Sequence, residues 1–269
     1  MSERDGFPPG VPCWVDTGQP DPDAATKFYG SLFGWTFTGP GDMPGDPPGR
    51  YFVGQLRGRD VAGVSSLPAG APATPVWSTY IQVASANDSA DKAKSAGGKV
   101  IAEPRDVRPA GRMAVLADQQ GAVFCVWEPR QRKGAQLVNE AGAWAMSALR
   151  TDDPDDASTF YKSLFGWSTE AFGSGDDAGM LYRLNGYIGG EPLQPVPRDV
   201  VAVMVNSTEG QGARWGVNFW VNDADETATR AVELGGRIVV PPFDTAISRD
   251  AVISDAQGAI FSVSEVPGT

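Results

Sequence analysis

The chain has 269 residues, with 33 Asp and Glu against 22 Lys and Arg, a formal charge of −11 and no histidine. Such an acidic surface excludes nucleic acid and anionic bilayers as natural partners, and no apolar run approaches the roughly 18 residues that span a membrane. The missing histidine removes the commonest metal ligand and general base, and with them any Ser-His-Asp triad.

In chain order, residues 1–10 read as a disordered lead. Their first six residues, Met-Ser-Glu-Arg-Asp-Gly, contain no apolar stretch of the kind a secretory signal needs. The two cysteines, Cys13 and Cys125, form neither a CxxC motif nor a disulfide framework. A cytoplasmic, reduced protein is therefore expected. Residues Val11 to Thr17 predict a strand. Next comes a helix with both ends signalled. Asp21 can cap the first turn, Pro22 follows where its missing N–H costs nothing, Asp23 faces the positive end of the dipole, and Gly34 stops the helix. Phe28, Leu32 and Phe33 predict its apolar stripe. Arg50 to Leu56 and Val61 to Ser66 predict strands after a loose loop over Gly39 to Gly49, and Ala69 to Pro75 predicts a linker. A second unit begins at Trp77. It has a strand to Val83, a helix over Ala86 to Ala96 ended by Gly97-Gly98, and strands over Lys99 to Ala102, Arg112 to Ala117 and Ala122 to Glu128. The last two are joined by the turn Asp118-Gln119-Gln120-Gly121.

The second half repeats the first. Residues 22–35 and 154–167 are identical at ten of fourteen positions at a constant offset of 132. Trp215 answers Trp77 and Gly235-Gly236 answers Gly97-Gly98 at an offset of 138, so the extra residues fall in the connections of 168–214. Asp255-Ala256-Gln257-Gly258 answers the later turn. Each half is strand-helix-three strands, twice, which is an α+β plan with helices on one side of a sheet.

The Phe-Tyr-x-Ser-Leu-Phe-Gly-Trp motif after Asp-Pro, with an Asp-x-x-Gly turn before the last strand, resembles the vicinal oxygen chelate superfamily. That superfamily includes glyoxalase I, extradiol dioxygenases and the bleomycin resistance protein. The resemblance covers nearly the whole chain. It implies two tandem glyoxalase-like domains, each with two βαβββ units in a curved eight-stranded sheet and helices on the convex side. The boundaries would be 11–130 and 143–269, with a linker over 131–142. It further implies ligand positions for a divalent ion. Mapped by spacing, these fall on Trp14, Gly63 or Val64, Ser78 and Cys125 in the first half, and on Met146, Glu191, Gly216 and Ser262 in the second. Only Glu191 and Cys125 among them are donors a metal uses readily. The expectation is therefore no metal and no cofactor.

Strand alternation places a different set of side chains on the concave faces. In the first half these are Trp14, Asp16, Ser78, Tyr80, Gln82, Cys125 and Trp127. In the second they are Trp144, Met146, Asn218 and Trp220, with Glu191 added from its spacing. Mostly apolar walls with a few polar groups describe a small-molecule cavity, and indoles stack on flat rings. Two functions stay open. One is a binding protein for a planar aromatic small molecule, such as an antibiotic or secondary metabolite. The other is a metal-free tailoring enzyme, a cyclase or oxygenase accessory. It would use Asp16, Tyr80 or Glu191 as acid or base, with Cys125 as a less favoured nucleophile. Monomer and homodimer both remain open.

Overall fold

The computed structural model describes residues 3–43, 48–67, 74–173, 178–189, 196–207 and 212–265. The first half runs β1 (Pro12–Gln19), α1 (Pro22–Phe33), β2 (Thr36–Met43), β3 (Gly49–Leu56), β4 (Arg59–Ser66), β5 (Val76–Gln82), α2 (Ala86–Ser95), β6 (Lys99–Val107), β7 (Gly111–Ala117) and β8 (Val123–Pro129). The second runs β9 (Trp144–Thr151), α3 (Pro154–Phe165), β10 (Ser168–Phe172), β11 (Gly179–Arg183), β12 (Val200–Asn206), β13 (Arg214–Val221), α4 (Ala224–Glu233), β14 (Arg237–Asp244), β15 (Arg249–Ser254) and β16 (Ile260–Glu265).

Each half forms one eight-stranded sheet, in the orders β2-β3-β4-β1-β5-β8-β7-β6 and β10-β11-β12-β9-β13-β16-β15-β14. Two βαβββ units meet edge to edge in each sheet. The β1–β5 and β9–β13 seams are antiparallel, and each central strand also pairs in parallel with the last strand of its unit. The helix signals act as read. Asp21 and Asp153 cap α1 and α3 by accepting from the amides of Ala24 and Asp156, both at 3.0 Å. Gly34 and Gly166 end them with φ of 73°, a left-handed turn that glycine adopts without a Cβ clash.

The two sheets pack convex face to convex face, with α1 and α3 in the seam. Here the structure refines the predicted stripe. Leu32 is half-buried, and the fully buried Tyr29 takes the centre of α1. Its hydroxyl donates to Asp255 Oδ2 at 2.7 Å and accepts from Trp77 Nε1 at 3.1 Å. Phe33 packs on Phe219 and Phe261 of the other half. The repeat supplies the mirror contact. Tyr161 donates to Asp118 Oδ2 at 3.1 Å, accepts from Trp215 Nε1 at 2.8 Å, and packs on Phe124. Between the central strands, the hydroxyls of Thr79 and Ser147 are 2.7 Å apart.

Asp118 and Asp255, the first residues of the two turns, are both buried. Each Oδ1 holds its own turn, through the amides of Gln120 and Ala122 or of Gln257, Gly258 and Ala259. Each Oδ2 crosses to the other half. Burial pushes the Asp118 carboxyl above the usual carboxylate range, against the pull of those amides.

Two further readings change. The lead is ordered from Glu3 onward. Phe7 is buried, Gly10 N donates to Gln82 O at 2.8 Å, and Trp167 Nε1 donates to Gly10 O at 2.7 Å. Apolar Phe7 and Val11 outweigh the polar first residues there. The loose loop over Gly39 to Gly49 contributes strand as far as Met43, paired with β3, and residues 44–47 lie outside the described residues. So does most of the Ala69–Pro75 linker. Among the described residues, no helix is long and apolar enough to cross a membrane.

Candidate functional site

The registers fix which side chains share a concave face, and the repeat lets the two faces be compared position by position. In the first sheet Asp16 lies opposite Ser78 and Gly63, Trp14 opposite Tyr80, Tyr80 beside Cys125, and Trp127 between Gln82 and Met113. In the second, Ala148 lies opposite Gly216 and Val203, Met146 opposite Asn218, Asn218 beside Ser262, and Trp220 beside Ser264. Gly63 therefore faces the cup, and Val64 is buried on the convex side.

The first cup is filled by its own side chains. Trp14, Asp16, Tyr80, Gln82, Cys125, Trp127 and Met113 are all buried, and only Ser78 is half-exposed. Asp16 Oδ2 accepts from Tyr80 at 2.8 Å and from Tyr51 at 3.0 Å, and Tyr51 Oη accepts from Trp14 Nε1 at 2.8 Å. A Cβ on Gly63 would overlap the Tyr51 hydroxyl, so the glycine makes room for the tyrosine. The linker caps the mouth. Trp127 Nε1 donates to Arg132 O at 2.9 Å, and the Arg132 guanidinium lies over the Trp14 ring, 5.5 Å from its centroid, while paired with Asp60 at 2.8 Å. Gln82 Nε2 donates to Phe7 O. Burial pushes the Asp16 carboxyl up to about 6, although the two phenols pull the other way. Burial, with the Asp16 charge, also pushes the Cys125 thiol up, so Cys125 is a poor nucleophile.

The second cup is lined by smaller groups. Where the first cup has Trp14, Asp16, Ser78, Tyr80, Cys125 and Trp127, the second has Met146, Ala148, Gly216, Asn218, Ser262 and Ser264. Strands β9 and β13 alternate between buried convex residues and part-exposed concave ones. Among the described residues, a Cβ on Gly216 would meet only Ala148 O, at 3.9 Å, so none of them fills the space above this glycine. Asn218 Nδ2 donates to Ser262 Oγ at 3.1 Å and to Ser264 Oγ at 2.8 Å, which fixes a polar floor. Trp220 stands at one end, and of the eight tryptophans it alone is not buried. At the other end Arg150 lies directly opposite Arg214.

The predicted residues thus divide. Trp14, Asp16, Ser78, Tyr80, Gln82, Cys125 and Trp127 come together as a bonded, packed cluster. Met146, Asn218 and Trp220 come together on an open face. Trp144 is buried at the β9 bulge, where with Met146 and Phe7 it lines a cavity of about 40 Å³, and its indole N–H has no partner among the described residues. Glu191 lies outside the described residues. Sequence reasoning missed Tyr51 and Arg132, which reach the first cup from distant segments. It also missed Arg150, although the alternation Met146-Ala148-Arg150 points to it. A larger cavity of about 430 Å³ sits under the linker, lined by Arg4, Asp60, Arg132 and Lys133 among others; Arg132 and Asp60 join it to the mouth of the first cup, and none of the concave strand residues lines it.

The divalent ion implied by the resemblance finds no fitting donors in this set. The ligand positions carry Trp14, Gly63, Ser78 and Cys125 in one cup and Met146, Gly216 and Ser262 in the other, with Glu191, the fourth position there, outside the described residues. Asp16, the carboxylate nearest to them, is held by two phenols. Among the described residues, no three His, Cys, Asp or Glu side chains converge on one point.

Paired βαβββ units around a concave face define a class of protein, and the sequence comparisons agree with it. Residues 15–126 match the model of the Glyoxalase/Bleomycin resistance protein/Dioxygenase superfamily, and residues 146–264 match that of the Glyoxalase-like domain. The chain belongs to this superfamily, as a tandem of two such domains. It is 37% identical to CFP32 of Mycobacterium tuberculosis, which carries a glyoxylase name, over 98% of this chain and 97% of that one. It is 34% identical to the anthracycline biosynthesis protein DnrV of Streptomyces peucetius, over 97% of this chain and 94% of the relative. Among solved structures, the Mn(II)-bound glyoxalase of Novosphingobium aromaticivorans superposes with a TM-score of 0.63 at 18% identity, covering 96% of this chain and 82% of that one. That likeness concerns the fold.

Proposed function

We propose that this chain binds a planar, largely aromatic small molecule in its second cup and holds it by contact rather than through an ion, in a sequestering, carrying or accessory role. The observation that carries the reading is the exchange of bulk for space between the halves. Five concave positions that are buried in the first cup, Trp14, Asp16, Tyr80, Cys125 and Trp127, are occupied by Met146, Ala148, Asn218, Ser262 and Ser264 in the second, and Ser78 is answered by Gly216. Trp220 provides an indole wall, and Asn218 with its two serines provides a few polar groups, the usual mixture for a small organic ligand. The kinship with a protein named for anthracycline biosynthesis supports a polycyclic aromatic ligand and a place in secondary metabolism.

The test is a tryptophan-fluorescence titration with planar polyaromatic compounds, anthracyclines included. Quenching that disappears in Trp220→Phe is the expected result. No quenching by any compound at tens of micromolar, or quenching unchanged in Trp220→Phe, would overturn the reading.

A second reading is a metal-free tailoring enzyme with Asp16 as its acid or base. It is favoured by one observation, the carboxyl held near 6 between Tyr51 and Tyr80. Turnover lost in Asp16→Asn and kept in Trp220→Phe would support it over the first.

A further inference from the structure

At the end of the second cup away from Trp220, two arginines face each other across the β9–β13 seam. Arg150 and Arg214 are register partners, and directly opposed residues on adjacent strands hold their Cβ atoms about 4.5–5.5 Å apart. The parity of both strands settles their face. Leu149 and Trp215 are buried on the convex side, so Arg150 and Arg214 rise on the concave side with Ala148 and Gly216.

Like charges opposed in this way destabilise a sheet unless something of opposite sign lies between them. Asp60 answers Arg132 in the first half, and Asp199 and Glu170 answer Arg183 in the second. Arg214 is already engaged, donating to Gly212 O at 3.5 Å among its partners, whereas Arg150 makes no hydrogen bond or ion pair among the described residues. It is half-buried, and its guanidinium is weakened by burial first and by the charge of Arg214 second. In a chain with a net charge of −11, an unanswered cation beside another cation is an unusual expenditure of charge. Its place is also specific. The pair closes the end of the trough whose floor is Ala148 and Gly216, where the ligand's rings would lie.

We infer that the molecule held in the second cup is an aromatic carboxylic acid, whose carboxylate bridges Arg150 and Arg214 while its rings lie over Ala148 and Gly216 toward Trp220. This rests on the reading of the second cup as a binding site for planar aromatics and adds the chemical class of the ligand. A planar carboxylate matches the guanidinium fork, and a charge-assisted pair of this kind is stronger than a neutral hydrogen bond. The amide of the same acid keeps the rings and loses the charge.

The experiment compares anthraquinone-2-carboxylate with anthraquinone-2-carboxamide on the full chain, by Trp220 quenching and by calorimetry. The proteins are wild type, Arg150→Gln, Arg150→Lys and Gly216→Phe, each checked for an unchanged melting profile. In wild type the acid binds about tenfold or more tighter than the amide, the margin expected for a hydrogen-bonded charge. That preference vanishes in Arg150→Gln and is partly kept in Arg150→Lys, while Gly216→Phe loses both probes. Equal affinity for acid and amide in wild type, or a preference that survives Arg150→Gln, overturns the inference and leaves the cup reading standing. Binding of both probes that survives Gly216→Phe, or no binding of either probe to wild type, overturns the cup reading and the inference with it.

Discussion

The convex faces carry the same clasp twice, and the concave faces share no such cluster. Asp255-Tyr29-Trp77 and Asp118-Tyr161-Trp215 make the same three-residue clasp with the same atoms in the same order. On the other side of the same strands, Trp14, Asp16 and Tyr80 face Met146, Ala148 and Asn218 at equivalent positions. The difference follows from what each face touches. A convex side chain packs against the other half, so a change there must be matched across a close-packed seam. A concave side chain meets the linker in one half and, among the described residues, few neighbours in the other, so it can change without a partner. The clasp of the repeat is therefore kept where the halves hold each other, and the concave residues differ where they do not.

The largest expected effect tests the kept side. Asp255→Ala removes the acceptor of Tyr29, Gln19 and three backbone amides. Buried donors left without a partner make this cost about 3–5 kcal/mol of unfolding free energy in a denaturant titration. Asp118→Ala should cost somewhat less, because it holds the same clasp with two amides and no counterpart of Gln19. A loss under about 1 kcal/mol for either, or a larger loss for Asp118→Ala than for Asp255→Ala, would break the symmetry argued here.

The next effect is a pH dependence that the first cup has and the second lacks. Asp16 is raised in the folded state to about 6, from an ordinary value of 3.8. Folding thus favours its protonated form, and the stability it contributes is complete below about pH 4 and lost as pH rises through about 6. The stability of wild type relative to Asp16→Asn should therefore fall by about 2 kcal/mol between pH 4 and pH 7. Denaturation midpoints of the two proteins at both pH values check this. A constant difference would mean that the carboxyl is not held as the structure shows.

A smaller effect compares single methyl groups. Gly63→Ala forces a Cβ into the Tyr51 hydroxyl and should cost about 1–3 kcal/mol as an overpacked core does. Gly216→Ala places the same methyl where, among the described residues, it meets only Ala148 O, and should stay within about 0.5 kcal/mol. The smallest effect is optical. Iodide should quench the Trp220 component and leave the emission of the seven buried tryptophans nearly unchanged, so Trp220→Phe should remove most of the accessible fraction.

Much of the fold was legible because its signals are local. The Asp-Pro start and glycine stop of α1 and α3 act within a few residues, and a fourteen-residue repeat at constant offset declares two halves. The burial of the turn aspartates was hidden for the opposite reason. Asp118 is bonded by Tyr161, 43 residues away. The candidate site was half legible. Alternation gave the faces correctly and could not give their filling. Whether Trp14 lines a cavity or plugs one depends on Tyr51 and Arg132, which come from β3 and the linker and carry no motif. Alternation did point to Arg150, but a lone arginine at a strand end reads as a solvated charge until its register partner is known to be Arg214.

The asymmetry between the cups is tested most directly by the stoichiometry of aromatic binding. Calorimetric titration of the full chain with anthraquinone-2-carboxylate should give one site per chain, abolished in Gly216→Phe and unchanged in Trp14→Phe. Two sites per chain, or one site that survives Gly216→Phe and is lost in Trp14→Phe, would contradict the account.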